Sequence, residues 1–329
     1  MKEVQRITDR LFLIDAYDLG RPGRTGTYVL KEDKLTIIET SASPSVPHIL
    51  NGLKELQLDP KDIEYIIVTH IHLDHAGGAG FMLQYCPNAK VVVHPKGARH
   101  LIDPSRLIQG ARAVYGDEFD QLFDPIVPIP EDRILVRDHQ ETLSISDECT
   151  LTFYDTPGHA RHHFSIHDSV SNGIFSGDTV GIYYEELKGD GIDFIIPATS
   201  PNQFDPEATM QSTNLMKNMN VDAIYFSHFG VCNEPEKVYQ AMEKWIPLFV
   251  EAGKVGIENA PKGDFKKAME SVEEELKKRV YTVLDEKGVQ RNHPIYELLA
   301  IDLQVSAMGL VDYYWKKEKE LQNQHEAKR

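Results

Sequence analysis

For its first two thirds the chain alternates short apolar runs with polar, glycine-bearing turns, and then changes to long helical stretches. The run Ile63-Glu64-Tyr65-Ile66-Ile67-Val68 has strand length and little polarity, which predicts a buried strand. Arg10-Leu11-Phe12-Leu13-Ile14 predicts another. Thr27-Tyr28-Val29-Leu30 and Leu35-Thr36-Ile37-Ile38 predict a hairpin about Glu32-Asp33. Ser45-Val46-Pro47 starts an expected helix that runs through Leu56, and a further strand is expected over 88–94. From Lys96 to Phe123 the spacing of Ala111, Val114 and Tyr115 turns helical, and strands resume from Arg133 through Phe175.

Beyond Gly230 three helices are expected, over Pro235–Gly253, Asp264–Gly288 and Pro294–Glu320. The third carries Leu298, Leu299, Ile301, Leu303, Val305, Met308, Leu310 and Val311, too many apolar residues for one narrow stripe. It is expected to bury more than one face, against the main domain or in a homodimer. Between Asp178 and Asp205 lies an irregular stretch with Gly181, Gly189, Gly191, Pro197 and Pro201. A loop this long inside a compact domain is more often functional than accidental, so it is the expected lid, lined by Phe194, Ile195 and Ile196.

A chain of 329 residues exceeds one typical domain, so an appendage is expected. The formal net charge of −16 disfavours a nucleic-acid partner, which would want a basic groove. There is no apolar run of about 18 residues, so no membrane span is expected. The N-terminal residues lack an apolar core of signal-peptide length. Cys86, Cys149 and Cys232 are odd in number and widely spaced, which suits a reducing compartment and a cytoplasmic address.

The chemistry concentrates where the apolar run ends, at Thr69-His70-Ile71-His72-Leu73-Asp74-His75 followed by Ala76-Gly77-Gly78. In extended backbone His70 and His72 point to one side and can reach one ion, while Asp74 and His75 at the next turn can face a second. Three further strand ends carry a single ligand type: Gly158-His159 after Leu151–Tyr154, Gly177-Asp178 after Gly173–Phe175, and Ser227-His228 after Ala223–Phe226. Loops at strand ends converge over a rigid scaffold, which is where binding sites collect. Seven imidazole and carboxylate ligands are too many for one tetrahedral ion and suit zinc, iron or manganese.

This order, His-x-His-x-Asp-His, then His, Asp and His, resembles the metallo-β-lactamase superfamily, and within it the glyoxalase II and lactonase branch. Lys96–Leu107 is similar to a segment of a largely uncharacterised branch of these hydrolases. The resemblance spans roughly residues 5–230. It implies an α/β (α+β) four-layer αββα sandwich, with a catalytic domain over 1–230, an inserted helical segment about 96–125, and a C-terminal helical region over 231–329. It further implies two divalent ions, zinc foremost: His70, His72 and His159 on the first, Asp74, His75 and His228 on the second, and Asp178 bridging. The implied activity is hydrolysis of a small-molecule thioester, lactone or ester by a bridging hydroxide, with Asp74 and Asp178 as the catalytic carboxylates. A mononuclear-iron persulfide dioxygenase of the same fold, or a phosphodiesterase, is the alternative.

Many members of the superfamily carry an acid at the end of an early strand that orients a ligand imidazole. Glu39 stands there in place of the usual Asp, with a plain surface role as its alternative. Lactonases place a Tyr shortly after the bridging Asp. Tyr183 and Tyr184 are the candidates for an oxyanion donor here, with packing as the alternative. One of His162 and His163 is expected to turn inward and hydrogen-bond a ligand. The inserted segment reads either as a substrate wall or as decoration.

Overall fold

The computed structural model of the protein describes residues 3–327. In chain order the first strands are β1 (Val4–Arg6), β2 (Leu11–Asp15), β3 (Gly26–Leu30) and β4 (Leu35–Ile38), followed by α1 (Val46–Glu55) and β5 (Ile63–Ile67). Two short helices, α2 (Leu73–Ala76) and α3 (Ala79–Met82), precede β6 (Lys90–Val93). The inserted segment forms α4 (Pro95–Ile102), α5 (Ser105–Tyr115) and α6 (Phe119–Phe123). Then come β7 (Ile134–Val136), β8 (Thr142–Ser144), β9 (Thr150–Asp155), β10 (Phe164–Asp168) and β11 (Gly173–Gly177). The ribbon β12 (Ile182–Tyr183) and β13 (Ile195–Ile196), helix α7 (Pro206–Asn218), and β14 (Ala223–Phe226) with β15 (Val231–Cys232) lead to α8 (Pro235–Asn259), α9 (Phe265–Glu286) and α10 (Ile295–Ala327).

The chain divides into two compact units. The first holds residues 1–156, 162–178 and 219–235, and the second holds 157–161, 179–218 and 236–329. The division differs from a single cut after residue 230, because the stretch after Asp178 folds with the C-terminal helices.

In the first unit, one sheet runs β1-β2-β3-β4-β5-β6-β7 and the other β15-β14-β11-β10-β9-β8. Alternation along each strand sends one set of apolar side chains into the space between the sheets. Leu13, Tyr28, Ile38, Ile67 and Val92 of the first sheet share that layer with Phe153, Phe164, Ile166, Phe175 and Tyr225 of the second. The opposite face of the first sheet packs Ile37, Ile66 and Val91 against Val46, Ile49 and Leu53 of α1 and Met82 of α3. The pairs β4–β5, β5–β6 and β11–β14 are parallel, so the ends of β4, β5, β11 and β14 each open into a loop that can carry a functional residue.

The rim where β2 begins and β10 ends is closed by a buried charge cluster. Arg10 donates to Asp168 Oδ2 at 2.6 Å and to Cys149 Sγ at 3.0 Å, and also pairs with Glu32 in the β3–β4 turn. These bonds join the two sheets. Burial alone would raise the Asp168 carboxyl, but hydrogen bonds from Arg10 and Ser171 outweigh it and hold it below its ordinary value. The Cys86 and Cys149 thiols are pushed up to about 12, mainly by burial, which leaves them inert.

The second unit is helical apart from the β12–β13 ribbon. Ala268, Val272, Leu276, Val280 and Leu284 of α9 recur every fourth residue and are buried in one stripe, and α9 packs along α10. Phe194, Ile195 and Ile196, expected as an open apolar lid lining, are instead 2%, 3% and 0% exposed. Phe194 packs against Tyr184 and Trp245, so this segment is core of its own unit. No helix among the described residues is long and apolar enough to cross a membrane.

Removing the Arg10 guanidinium would leave Asp168 buried without its strongest partner. Arg10→Met is expected to cost about 3–5 kcal/mol in denaturant unfolding at pH 7. Asp168 titrates lower in the folded chain than unfolded, so its stabilisation is complete above about pH 3.9 and is lost as pH falls through the folded value. The gap between wild type and variant is therefore expected to close in acid.

Candidate metal centre

The motif begins where β5 leaves the sheet. Phe164 N–H donates to Thr69 O at 3.0 Å, which ties this strand end to β10 of the other sheet. His72 then holds extended backbone as the residue before α2, without a side-chain cap on that helix, so its imidazole is left for other partners. The helix is held from the side by the loop after β4. Thr40 N–H donates to His75 O at 2.9 Å, and Gly78 N–H donates to Ser41 O at 2.8 Å. Glu39 and Ser41 in that loop have φ of 70° and 52°, left-handed values that non-glycine residues adopt chiefly where the surroundings impose them.

The first unit brings His70, His72, Asp74, His75, Asp178 and His228 together. His70 Nε2 lies 3.0 Å from His72 Nδ1. His75 Nε2 lies 3.4 Å from Asp178 Oδ1 and 3.6 Å from Asp74 Oδ2. His228 Nε2 lies 3.4 Å from Asp178 Oδ2 and 3.7 Å from Asp74 Oδ2. Two overlapping trios, His70–His75–Asp178 and Asp74–His75–His228, each keep their ligand atoms within 4.8 Å of one another. Metal bonds of about 2.1 Å to nitrogen or oxygen give a tetrahedral edge of about 3.4 Å, so these separations fit a divalent ion.

Three of the rings are oriented by a bond at Nδ1. His75 Nδ1 donates to Glu39 Oε2 at 2.9 Å, and Glu39 Oε1 accepts from Thr69 N–H at 2.8 Å. Glu39 is thus a buried orienting carboxylate. His228 Nδ1 donates to Arg24 O at 3.3 Å, which leaves Nε2 as the ligand atom. His70 Nδ1 meets Thr69 Oγ1 at 3.1 Å.

Electrostatics separates the two sides. Burial pushes His70 well below its ordinary value, and His75, His72 and His163 add to this, so it stays neutral as a ligand must. Burial also opposes charge on His75, but Asp178, Asp74 and Glu39 outweigh it and hold its pKa well above the ordinary value. In the same field the Asp18 carboxyl is pushed up to about 6, by burial first, with Asp74 adding and Arg24 opposing.

His163 is the inward member of its pair in the expected sense. Its Nε2 accepts from Asp178 N–H at 3.1 Å and its Nδ1 meets Thr156 Oγ1 at 3.0 Å, so it fixes the backbone of Asp178. Gly177 has φ of 51°, and a Cβ there would stand 2.3 Å from His163 Nε2, so this turn requires glycine. His162 is buried as well, its ring parallel to His70 at 6.3 Å. His94 is spent on structure: it accepts from Lys96 N–H at the start of α4 and bonds Asp155. The inserted helices anchor next to the motif, since Phe119 and Phe123 share a cluster with Ala42 and Leu73. Asp18 and Arg24 were not singled out by the sequence pattern. A buried acid and a base in the polar turn Asp18–Arg24, set within an apolar β region, were the available signal.

His159 lies on the 157–161 segment of the second unit. It is buried, and its Nδ1 donates to Ala198 O at 2.8 Å, which makes Nε2 its basic nitrogen. Tyr183 and Tyr184, the candidates for an oxyanion donor with packing as the alternative, also belong to that unit. Tyr183 donates to Asp193 at 3.0 Å and Tyr184 to Asp302 at 2.8 Å, so each hydroxyl meets an acid of its own unit.

Two outcomes follow. Glu39→Ala is expected to lower metal affinity by about 10–100-fold, read by competition with a chromophoric chelator. Tyr184→Phe is expected to leave kcat near wild type while costing about 1–3 kcal/mol in unfolding, because Asp302 loses a buried donor.

The family described as Metallo-beta-lactamase superfamily matches residues 20–228. The metallo-beta-lactamase fold-containing protein ST1585 of Sulfurisphaera tokodaii is 27% identical over 224 residues, covering 67% of this chain and 78% of that protein. Its solved structure has a TM-score of 0.59 at 24% identity, over 72% of this chain and 86% of that one. Shorter stretches match two proteins with named activities. One is the rubredoxin-oxygen oxidoreductase of Megalodesulfovibrio gigas, 26% identical over 141 residues, 43% of this chain and 29% of that protein. The other is the N-acyl homoserine lactonase AttM of Azorhizobium caulinodans, 30% identical over 114 residues, 35% of this chain and 39% of that protein. With one family matching more than half of its length, this chain belongs to the metallo-beta-lactamase superfamily, whose members are metal-dependent hydrolases.

Proposed function

We propose that this chain hydrolyses an ester-like bond, a thioester, lactone or ester, with two divalent ions, zinc foremost. The observation that carries the reading is the reach of Asp178. It forms one trio with His70 and His75, and its other carboxylate oxygen stands 3.4 Å from His228 Nε2. A carboxylate so placed could hold two cations, one at each oxygen. His70, His72 and His159 would hold the first ion, Asp74, His75 and His228 the second, and Asp178 both. Bound ions of this kind make hydroxide available near neutral pH and polarise a carbonyl.

The residues of the chain supply the rest. Glu39 and Arg24 O hold the far nitrogens of His75 and His228, so both rings offer Nε2 without reorganisation. His163 holds the Asp178 backbone, and the buried setting strengthens every charge interaction inside it. The likeness to the lactonase AttM supports the hydrolytic reading and the lactone within the substrate class. The likeness to rubredoxin-oxygen oxidoreductase is what a redox reading would rest on. With His72 and His228 the candidate ligands outnumber what one iron needs.

Asp178→Ala is expected to lower turnover by about 10²-fold or more and to leave fewer than two ions per chain by elemental analysis. Undiminished turnover with two ions in that variant would contradict the mechanism. Wild type reconstituted separately with zinc, iron and manganese discriminates the readings. Two ions with ester, thioester or lactone cleavage support hydrolysis, whereas one iron with oxygen consumption on a glutathione persulfide supports the redox alternative.

A further inference from the structure

The connection between β2 and β3 has a demanding backbone. Tyr17, Leu19, Gly20 and Gly23 have φ of 51°, 54°, 69° and 71°, and two of the four are not glycine. Such conformations persist where surrounding structure imposes them, and they cluster at functional sites. Here Asp15 imposes them: it accepts from Tyr17 N–H at 3.0 Å and from Gly23 N–H at 2.8 Å. Ala16 N–H closes the loop onto Thr25 O at 3.0 Å.

What the loop delivers is a buried charged pair. Asp18 is 2% exposed and Arg24 is 9% exposed. Arg24 Nε stands 3.6 Å from Asp18 Oδ2, beyond hydrogen-bond length, and Asp18 Oδ1 takes no hydrogen bond from any described residue. The same holds for His75 Nε2, which faces Asp74 and Asp178. Arg24 reaches the centre through its backbone, since its carbonyl accepts from His228 Nδ1 at 3.3 Å. Asp18 is thus tied to the centre through Arg24, whose side chain faces it and whose carbonyl holds His228. A carboxylate enclosed this way is costly unless a cation compensates it. Conversely, a guanidinium buried beside a cation site would repel the ion unless an acid balanced it.

We propose that Asp18 is a positioning carboxylate of the second-ion subsite, paired with Arg24, and that it sets the affinity of the Asp74–His75–His228 group for a divalent cation. The proposal rests on the two-ion reading and adds to it an acid outside the seven ligands. It makes no contact with substrate.

The test is a zinc titration of the full-length chain against a chromophoric chelator, which reads stoichiometry and stepwise dissociation constants. The thermal midpoint of each metal-free variant reports folding. Asp18→Asn is expected to keep the first constant and weaken the second by about 10–100-fold. Asp18→Glu, which keeps the charge, is expected to fall nearer wild type. Arg24→Gln removes the opposing cation and is expected to shift the second constant the other way, a sign that general loosening of the loop would not produce. Two ions bound by Asp18→Asn with wild-type constants would overturn the proposal alone. So would equal weakening of both steps, or weakening by Arg24→Gln as great as by Asp18→Asn. A wild type that binds one ion overturns this proposal and the two-ion reading together.

Discussion

The structure turns on one constraint: imidazoles and carboxylates are crowded to separations of 3.0–3.7 Å in a buried space. Charged and polar groups packed this way lose their hydration, and an interior returns that energy only through hydrogen bonds or a cation. Much of the surrounding architecture answers this demand. The parallel strand pairs bring β4, β5, β11 and β14 to the same rim, the left-handed turn at Glu39 aims a carboxylate back at His75, and the glycine turn at Gly177 lets His163 reach the Asp178 amide. The Arg10–Asp168 cluster closes the other rim, so the two sheets are pinned at both ends of their shared core.

What was legible in the sequence follows from the range of each signal. The apolar run before Thr69 and the density of His and Asp after it are local, so the strand, the motif and its position at the strand end could be read directly. The single candidate ligands His159, Asp178 and His228 were legible because each follows a short apolar run. The hairpin about Glu32-Asp33 and the three C-terminal helices were likewise local patterns. Glu39 was ambiguous, since its orienting role depends on a backbone dihedral that alternation does not report. Tyr183 and Tyr184 were read toward the centre because they follow Asp178 closely. Chain proximity carries no direction, and both hydroxyls meet acids of the second unit, Tyr183 from the end of β12 and Tyr184 from the residue after it. Phe194–Ile196 misled similarly: glycine and proline marked an irregular path, but apolar residues on such a path can fill a core as readily as line a lid. Asp18 and Arg24 precede Glu39 by 21 and 15 positions and His70 by 52 and 46, and only the fold shows their neighbours.

The helical insert has a consequence for how this protein can diversify. Leu73, between the candidate ligands His72 and Asp74, shares an apolar cluster with Phe119 and Phe123 of α6. The inserted segment therefore packs directly behind the part of the chain that carries the candidate ligands. Grafting a different insert exchanges the packing behind two ligands along with the outer surface, so α4–α6 and the motif constitute one inheritable module.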